Sequence, residues 1–91
     1  MELKRVVVTG LGAVTPLGNN PEETWNNLLN GVSGAAPITL FDASSFKTQF
    51  ACEVKDLKVN DYIDRKEARK MDRYAQLATI AAMQAVHDSG T

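Results

Sequence analysis

The chain contains one cysteine and one histidine, Cys52 and His87, and a thiolate activated by a histidine is a common covalent nucleophile. Cys52 falls inside an alternating stretch that predicts a strand, with no helix N-terminus beside it to activate a thiol. His87 falls on the polar side of a predicted helix, one turn before its end. We therefore expect Cys52 to be a small packed residue and His87 a solvent-facing cation.

A metal centre is not expected either. One cysteine and one histidine without paired carboxylates nearby do not form a ligand set for a structural or catalytic ion. No cofactor is therefore predicted.

The stretch TGLGAVTPLG follows an apolar run and contains G-x-G, the beginning of a dinucleotide-binding fingerprint. The fingerprint requires a third glycine at the position held by Thr15. The following helix is predicted to begin only at Pro21, too far from Gly10 and Gly12 to hold a pyrophosphate. We interpret the glycines as residues of a tight buried turn.

The strongest charge signal lies between Arg65 and Arg73. This segment carries five basic and two acidic residues, a net +3, in a chain whose formal net charge is −1. On one continuous helix the bases share one face: Arg65, Lys66, Arg69, Lys70 and Arg73. Such a face is either solvated surface, which spacing alone favours, or a docking site for an acidic partner, which repulsion between the five charges favours.

Two elements are predicted in the first third of the chain. Arg5 to Thr9 contains three consecutive valines and predicts a central strand of an α/β sheet. A helix begins after Asn20, a good N-cap residue, with Pro21 at its first position and Gly31 just past its end. Its apolar stripe of Trp25, Leu28 and Leu29 should pack on the sheet.

Residues 32–45 are predicted to form a loop. A half-covered strand follows, in which Phe50, Cys52 and Val54 alternate with other residues. Asp56 to Asn60 is a polar connection. From Asp64 to Asp88 the pattern is helical, with a break near Met71 and a stop at Gly90.

The apolar pattern of the last helix predicts more packing contacts than the rest of this chain can supply. One broad stripe is rich in alanine, which indicates a close approach by a neighbouring element: Met71, Tyr74, Ala75, Ala78, Ala81, Ala82, Ala85 and Val86. Leu77, Ile80 and Met83 fall among the polar residues opposite, so the helix should be buried on more than one side. We infer that the 91 residues are part of something larger.

Composition limits the remaining function classes. Hydrophobic residues make up 44% and charged residues 23%, as in ordinary globular proteins, and the pI is near 5.7. No general nucleic-acid or membrane binding is expected. The N-terminal apolar run is too short for a signal peptide or a membrane span, and a single cysteine forms no internal disulfide, so the expected compartment is the cytoplasm.

Four separated segments resemble one enzyme family. KRVVVTGLGAVTPLGNN, GVSGAAPITLFDASSF, EVKD and DYIDRKEARKMDRYAQLA occur in order, and together they are similar to the N-terminal part of the β-ketoacyl-acyl-carrier-protein synthases. The resemblance covers Lys4 to Gly90 and is greatest to the elongating, type II members of this thiolase superfamily.

The resemblance implies an α/β, thiolase-like fold, layered α-β-α-β-α in the complete enzyme. Residues 1–91 would be an incomplete β-α-β-α-α piece of the N-terminal domain, with the rest of that domain and the C-terminal domain absent. It also implies a homodimer that elongates acyl chains by decarboxylative Claisen condensation. The catalytic cysteine and two histidines would lie beyond residue 91, so no residue here is expected to be catalytic.

The resemblance also implies a partner. In the type II synthases a Lys-x-x-Arg-Lys set contacts acyl carrier protein, and the matching residues here are Lys66, Arg69 and Lys70. Two alternatives stay open: a non-catalytic module whose basic helix binds an acidic protein, and a polyketide ketosynthase or chain-length-factor relative.

Overall fold

A computed structural model describes residues 3–90. In chain order its elements are α1 (Pro21–Leu29), β1 (Ala35–Pro37), β2 (Phe50–Cys52), a 3₁₀ turn (Val59–Asp61), α2 (Arg65–Arg69) and α3 (Arg73–Asp88). The order is therefore α-β-β-α-α, where the sequence predicted β-α-β-α-α.

Helix α1 forms where its terminal signals predict. The side chain of Asn20 accepts a hydrogen bond from the backbone N–H of Glu23 at 2.8 Å, and Pro21 is the first helical residue. After Leu29 the chain passes through the C-cap Asn30 to Gly31, whose φ of 69° is the left-handed geometry that ends many helices. Both predicted ends are confirmed.

The predicted break near Met71 is also confirmed. Helix α2 ends at Arg69, and Asp72 adopts an extended conformation (φ −68°, ψ 159°) before α3 begins at Arg73. Gly90, with a φ of 80°, follows the end of α3. The basic segment is therefore divided between two helices. The face predicted for one continuous helix does not form in that way.

The two strands form an antiparallel ladder in which Ala35, Ala36 and Pro37 pair with Cys52, Ala51 and Phe50. The prediction that residues 32–45 are all loop is thus wrong at β1. Two alanines and a proline carry little strand signal, so pairing with β2 rather than local propensity creates β1. In β2 the side chains of Phe50 and Cys52 are exposed and Ala51 is half-buried, so the face predicted to be covered is the open one.

The predicted strand from Arg5 to Thr9 does not form. The segment has no regular secondary structure, its backbone makes no hydrogen bond with another residue in the range 3–90, and Val6 and Val8 are 89% and 79% exposed. A strand needs neighbours to pair its N–H and C=O groups, and no described segment lies in that position. The run of valines is typical of a central strand, but the described residues do not provide the neighbouring strands.

The core of the described residues is small and surrounds α3. Ile80 is fully buried against Ile63 and Ala68, with Val14, Leu57, Val59 and Met71 packed around them. The helix was expected to be buried on more than one side, and at Ile80 this chain supplies the cover itself, because the chain from Leu57 to Met71 folds back over it. The predicted polar connection therefore contributes two core side chains, Leu57 and Val59.

Residues 10–13 run along α3 at a distance that only glycine allows. A Cβ on Gly12 would overlap the carbonyl oxygen of Ala81, and one on Gly10 would overlap that of Ala85. The alanine stripe does receive a close neighbour, as predicted. The two glycines serve this approach rather than a tight turn, which corrects their interpretation.

Side chains of α3 satisfy the backbone of this segment. Asp88 accepts from the N–H of Leu11, and Gln84 accepts from the N–H of Ala13, both at 3.0 Å. The amide nitrogen of Gln84 donates to the carbonyl of Asn19 at 2.6 Å. Polar residues on α3 thus replace the pairing that a strand partner would provide.

Large apolar side chains elsewhere remain exposed. Trp25 is 59% exposed, and Leu28 and Leu29 are also more than half exposed, so the stripe predicted to pack on a sheet stays mostly uncovered. Tyr74 and Val86 on α3 are likewise exposed. Contiguous apolar surface of this kind indicates contact with further protein.

Glu53 fixes the chain that follows β1. Its carboxylate accepts from the hydroxyl of Thr39 at 2.9 Å and from the backbone N–H groups of Thr39 and Leu40. The Thr39 hydroxyl is the largest cause that lowers the pKa of Glu53 below its ordinary 4.5. The charged form is therefore the one that the fold stabilises.

Replacement of Gly12 by alanine should separate residues 10–13 from α3. Overpacking of this kind costs about 1–3 kcal/mol in free energy of unfolding. Urea unfolding measures it, with Gly31→Asn as control because the space around Gly31 is open and asparagine tolerates its φ. Equal stability of the Gly12→Ala variant and the unchanged protein would contradict the close approach.

The Glu53 carboxylate should make stability depend on acid. Because its folded pKa is lowered, its contribution is fully present above pH 4.5 and is lost as the pH falls through the folded pKa. The difference in unfolding free energy between the unchanged protein and Glu53→Gln should therefore be largest near neutrality and shrink below pH 4.5. A difference that stays constant from pH 7 to pH 3 would show that the ionised group is not what holds the loop.

Candidate docking site

Helix α2 forms as a short amphipathic turn held at both ends. Asp64 caps it by accepting from the N–H of Lys66 at 3.3 Å, and Ile63 is buried just before it. Ala68 alone faces the core, where it is 7% exposed. The small side chain lets α2 lie close to Ile80, and the remaining residues of the helix face outward.

Gln76 ties α2 to α3. Its amide nitrogen donates to the carbonyl oxygen of Ala68 at 3.0 Å, and the same oxygen accepts from the backbone N–H of Met71 at 3.1 Å. Lys70, the C-cap residue, donates its backbone N–H to Glu67 and Ala68. The orientation of α2 is therefore fixed by one buried alanine and one side-chain hydrogen bond.

The three predicted docking residues lie together on this helix and its cap. Lys66, Arg69 and Lys70 are exposed, and none makes an ion pair or a side-chain hydrogen bond with another residue between 3 and 90. Their charges are therefore not neutralised within that range. A surface of this kind attracts acidic groups over about a Debye length, roughly 8–10 Å at physiological salt.

The five basic residues do not lie on one continuous helix. Arg73 begins α3, beyond the non-helical stretch from Lys70 to Asp72, so the single face of five bases drawn on one helix is wrong. Arg65 and Arg69 line a recess beside the 3₁₀ turn, whereas Lys66 and Lys70 lie outside it. The structure thus presents an arginine pair and a lysine pair, each with a spacing of four residues.

The recess contains two residues that the sequence did not single out. Asn60 from the 3₁₀ turn and Gln76 from α3 line it together with Val59 and Ala68. Neither belongs to a recognisable motif, and periodicity placed Gln76 only on a polar side. Their positions depend on how α2 folds back on α3, which spacing does not reveal.

Cys52 and His87 do not form a catalytic pair. Cys52 is exposed on β2, so the expectation that it packs in a core is wrong. His87 faces solvent in the last turn of α3, as predicted. No hydrogen bond joins them within residues 3–90.

The other sites considered from sequence are likewise not assembled. Gly10 and Gly12 lie against α3, and Thr15 forms a tight turn with Gly18 through hydrogen bonds of 2.8 and 3.1 Å. Across the described range, no group of three or more histidine, cysteine or carboxylate side chains could hold a metal ion. In the same range, no helix is long and apolar enough to cross a membrane.

Comparisons with known proteins agree on one family. Residues 3–91 match the model of the β-ketoacyl synthase N-terminal domain. The chain is 49% identical over 89 residues to the 3-oxoacyl-[acyl-carrier-protein] synthase 2 of Synechocystis sp., covering 98% of this chain and 21% of that protein. It is 53% identical over 90 residues to the synthase 2 of Coxiella burnetii, covering 99% of this chain and 22% of that protein.

A solved structure gives the same result in three dimensions. The ishigamide ketosynthase/chain length factor superposes with a TM-score of 0.85 at 40% sequence identity, covering 93% of this chain and 21% of the other. The chain therefore spans about a fifth of the length of the relatives it matches. With a family match over nearly all its residues and a thiolase-like neighbour, the chain belongs to the β-ketoacyl synthase family, within the N-terminal domain.

Proposed function

We propose that these residues belong to a 3-oxoacyl-[acyl-carrier-protein] synthase of type II, which elongates acyl chains in fatty acid biosynthesis. The observation that carries the proposal is the 48–53% identity, over almost the whole chain, to synthases of that name from three different organisms. The resemblance found in the sequence motifs supports the same assignment.

The reaction is an acyl transfer followed by carbon–carbon bond formation. A cysteine takes the acyl group from its carrier as a thioester, malonyl-carrier protein loses CO₂, and the resulting carbanion attacks the thioester carbonyl. Two histidines and an oxyanion hole stabilise the negative charge. These groups belong to the rest of the polypeptide, because Cys52 and His87 match none of them, so the 91 residues alone are inactive.

Within this enzyme, α2 is the docking element for acyl carrier protein. Lys66, Arg69 and Lys70 match the basic set of the type II synthases, and their exposed, uncompensated charges support a role in binding the carrier's acidic recognition helix. Docking there lets the phosphopantetheine arm deliver the acyl chain to the active site.

Further properties follow from the same assignment. The enzyme is a cytoplasmic homodimer without a metal or organic cofactor. The remainder of the N-terminal domain and the C-terminal domain complete the fold. They provide neighbours for residues 5–9 and cover the apolar side chains that α1 and α3 leave exposed.

A second candidate function comes from the structural neighbour. Its likeness to a ketosynthase/chain length factor pair at 40% identity favours a role in polyketide assembly. The rest of the polypeptide separates the possibilities, because a chain-length-factor subunit lacks the cysteine. A native polypeptide of only 9.9 kDa would instead favour a non-catalytic module that binds an acidic protein.

Charge reversal at Lys66 and Arg69 should weaken carrier-protein binding by the complete enzyme. Each reversal replaces an attraction by a repulsion at an exposed site, about 1 kcal/mol or less, so the double variant should bind roughly tenfold more weakly. Calorimetric titration with carrier protein at low and physiological salt measures the loss, which should shrink as salt rises.

Lys47→Glu provides the matched control, because Lys47 is an exposed lysine outside α2. Its variant should bind carrier protein as the unchanged enzyme does. An equal loss at Lys47 would mean that net charge rather than this surface governs binding. No loss at Lys66 and Arg69 would contradict the docking role.

A further inference from the structure

We propose that Gln76 is a positioning residue for the use of carrier-bound substrates. Its side chain holds the carbonyl end of α2 against α3, and through that contact it sets the orientation in which α2 presents its exposed residues. The inference rests on the proposed function. It adds a residue that belongs to no basic set and lies on a different helix from the docking residues.

Helix α2 has few attachments to the rest of the chain. It is five residues long, from Arg65 to Arg69, and a helix of that length is not stable in water by itself. Ala68 is its one buried side chain, and the stretch from Lys70 to Asp72 that leads on to α3 is not helical. Contacts outside α2 therefore decide how the helix is oriented.

The hydrogen bond from Gln76 lies at the point where the chain leaves α2. The amide nitrogen donates to the carbonyl oxygen of Ala68 at 3.0 Å, in partly buried surroundings. Within residues 3–90, no other side-chain hydrogen bond joins α2 to α3. Ala68 is thus held in two ways, by its packing against Ile80 and by this bond.

The orientation of α2 matters more for docking than for attraction. Exposed charges such as those of Lys66 and Arg69 attract an acidic surface at a distance whatever the angle of the helix, but a docked complex needs them in fixed places. A helix held by packing alone would have to be ordered when the carrier binds, and ordering a mobile element weakens binding. With the Gln76 bond in place, α2 is already ordered before the carrier arrives.

Gln84 allows this role to be separated from ordinary stabilisation. It lies further along the same helix, and its side chain accepts from the N–H of Ala13 at 3.0 Å and donates to the carbonyl of Asn19 at 2.6 Å. These bonds hold the segment beside α3 and not α2. Loss of either glutamine amide should lower stability, but only loss of the Gln76 amide should change how α2 meets its partner.

The test is Gln76→Met in the complete enzyme, because methionine has a similar length and shape but no donor. The KM for the carrier-bound acyl donor should rise about three- to tenfold, the loss expected from one side-chain hydrogen bond, while kcat stays unchanged. The rate with a small acyl thioester, which needs no docking, should also stay unchanged. Gln84→Met is the matched control. It should lower the melting temperature and leave the KM for the carrier-bound donor as it is.

A double-mutant cycle tests whether Gln76 acts through α2. In the Lys66→Glu/Arg69→Glu enzyme the docking charges are already reversed, so Gln76→Met should raise the KM for the carrier-bound donor less than it does in the unchanged background. An equal rise in both backgrounds would mean that Gln76 acts through some other contact, and it would overturn the proposal. Circular dichroism confirms that each variant is folded.

The remaining outcomes separate this inference from the proposed function. If Gln76→Met leaves the KM for the carrier-bound donor unchanged while Lys66→Glu/Arg69→Glu raises it, the docking surface stands and the positioning role is wrong. If Gln76→Met and Gln84→Met slow both acyl donors alike, the Gln76 bond only stabilises the fold, and the proposal is again wrong. If the unchanged enzyme does not react with the carrier-bound donor, the proposed function fails and this inference fails with it.

Discussion

The packing of Ala68 against Ile80 is the contact on which the candidate site depends. It sets the short helix α2 across the long helix α3, and the Gln76 side chain then holds the carbonyl end of α2 in place. Five residues of helix would not be stable alone, since helices shorter than about a dozen residues are marginal in water. Tertiary contact therefore creates the basic surface, and Lys66, Arg69 and Lys70 take their positions from a buried alanine rather than from their own propensities.

The same helix α3 organises the opposite part of the chain. Alanines at positions 81 and 85 and glycines at 10 and 12 allow two backbones to lie in contact, and Gln84 and Asp88 pair with the backbone groups that this contact brings close. One side of α3 is thus closed by this chain. Tyr74 and Val86 on the same helix remain exposed, in keeping with a chain that spans about a fifth of its relatives.

Local signals predicted local structure well. The Asn20–Pro21 start, the Gly31 end and the break near Met71 depend on capping and backbone geometry within a few residues, and each is confirmed. The family, too, followed from motifs in order. The strand at Arg5–Thr9 did not form, because a strand depends on neighbours that spacing cannot supply. For the same reason, the sequence did not reveal that this chain itself covers Ile80, and Asn60 and Gln76 were missed.

We propose that α2 presents carrier-bound substrates to a condensing site supplied by the rest of the polypeptide. The most direct test compares two acyl donors, acyl carrier protein and a small acyl thioester, in forming the covalent acyl-enzyme detected by intact mass. The Lys66→Glu/Arg69→Glu enzyme should react slowly with the carrier-bound donor and normally with the small thioester. Equal slowing with both donors, or no acyl-enzyme from the unchanged protein, would contradict it.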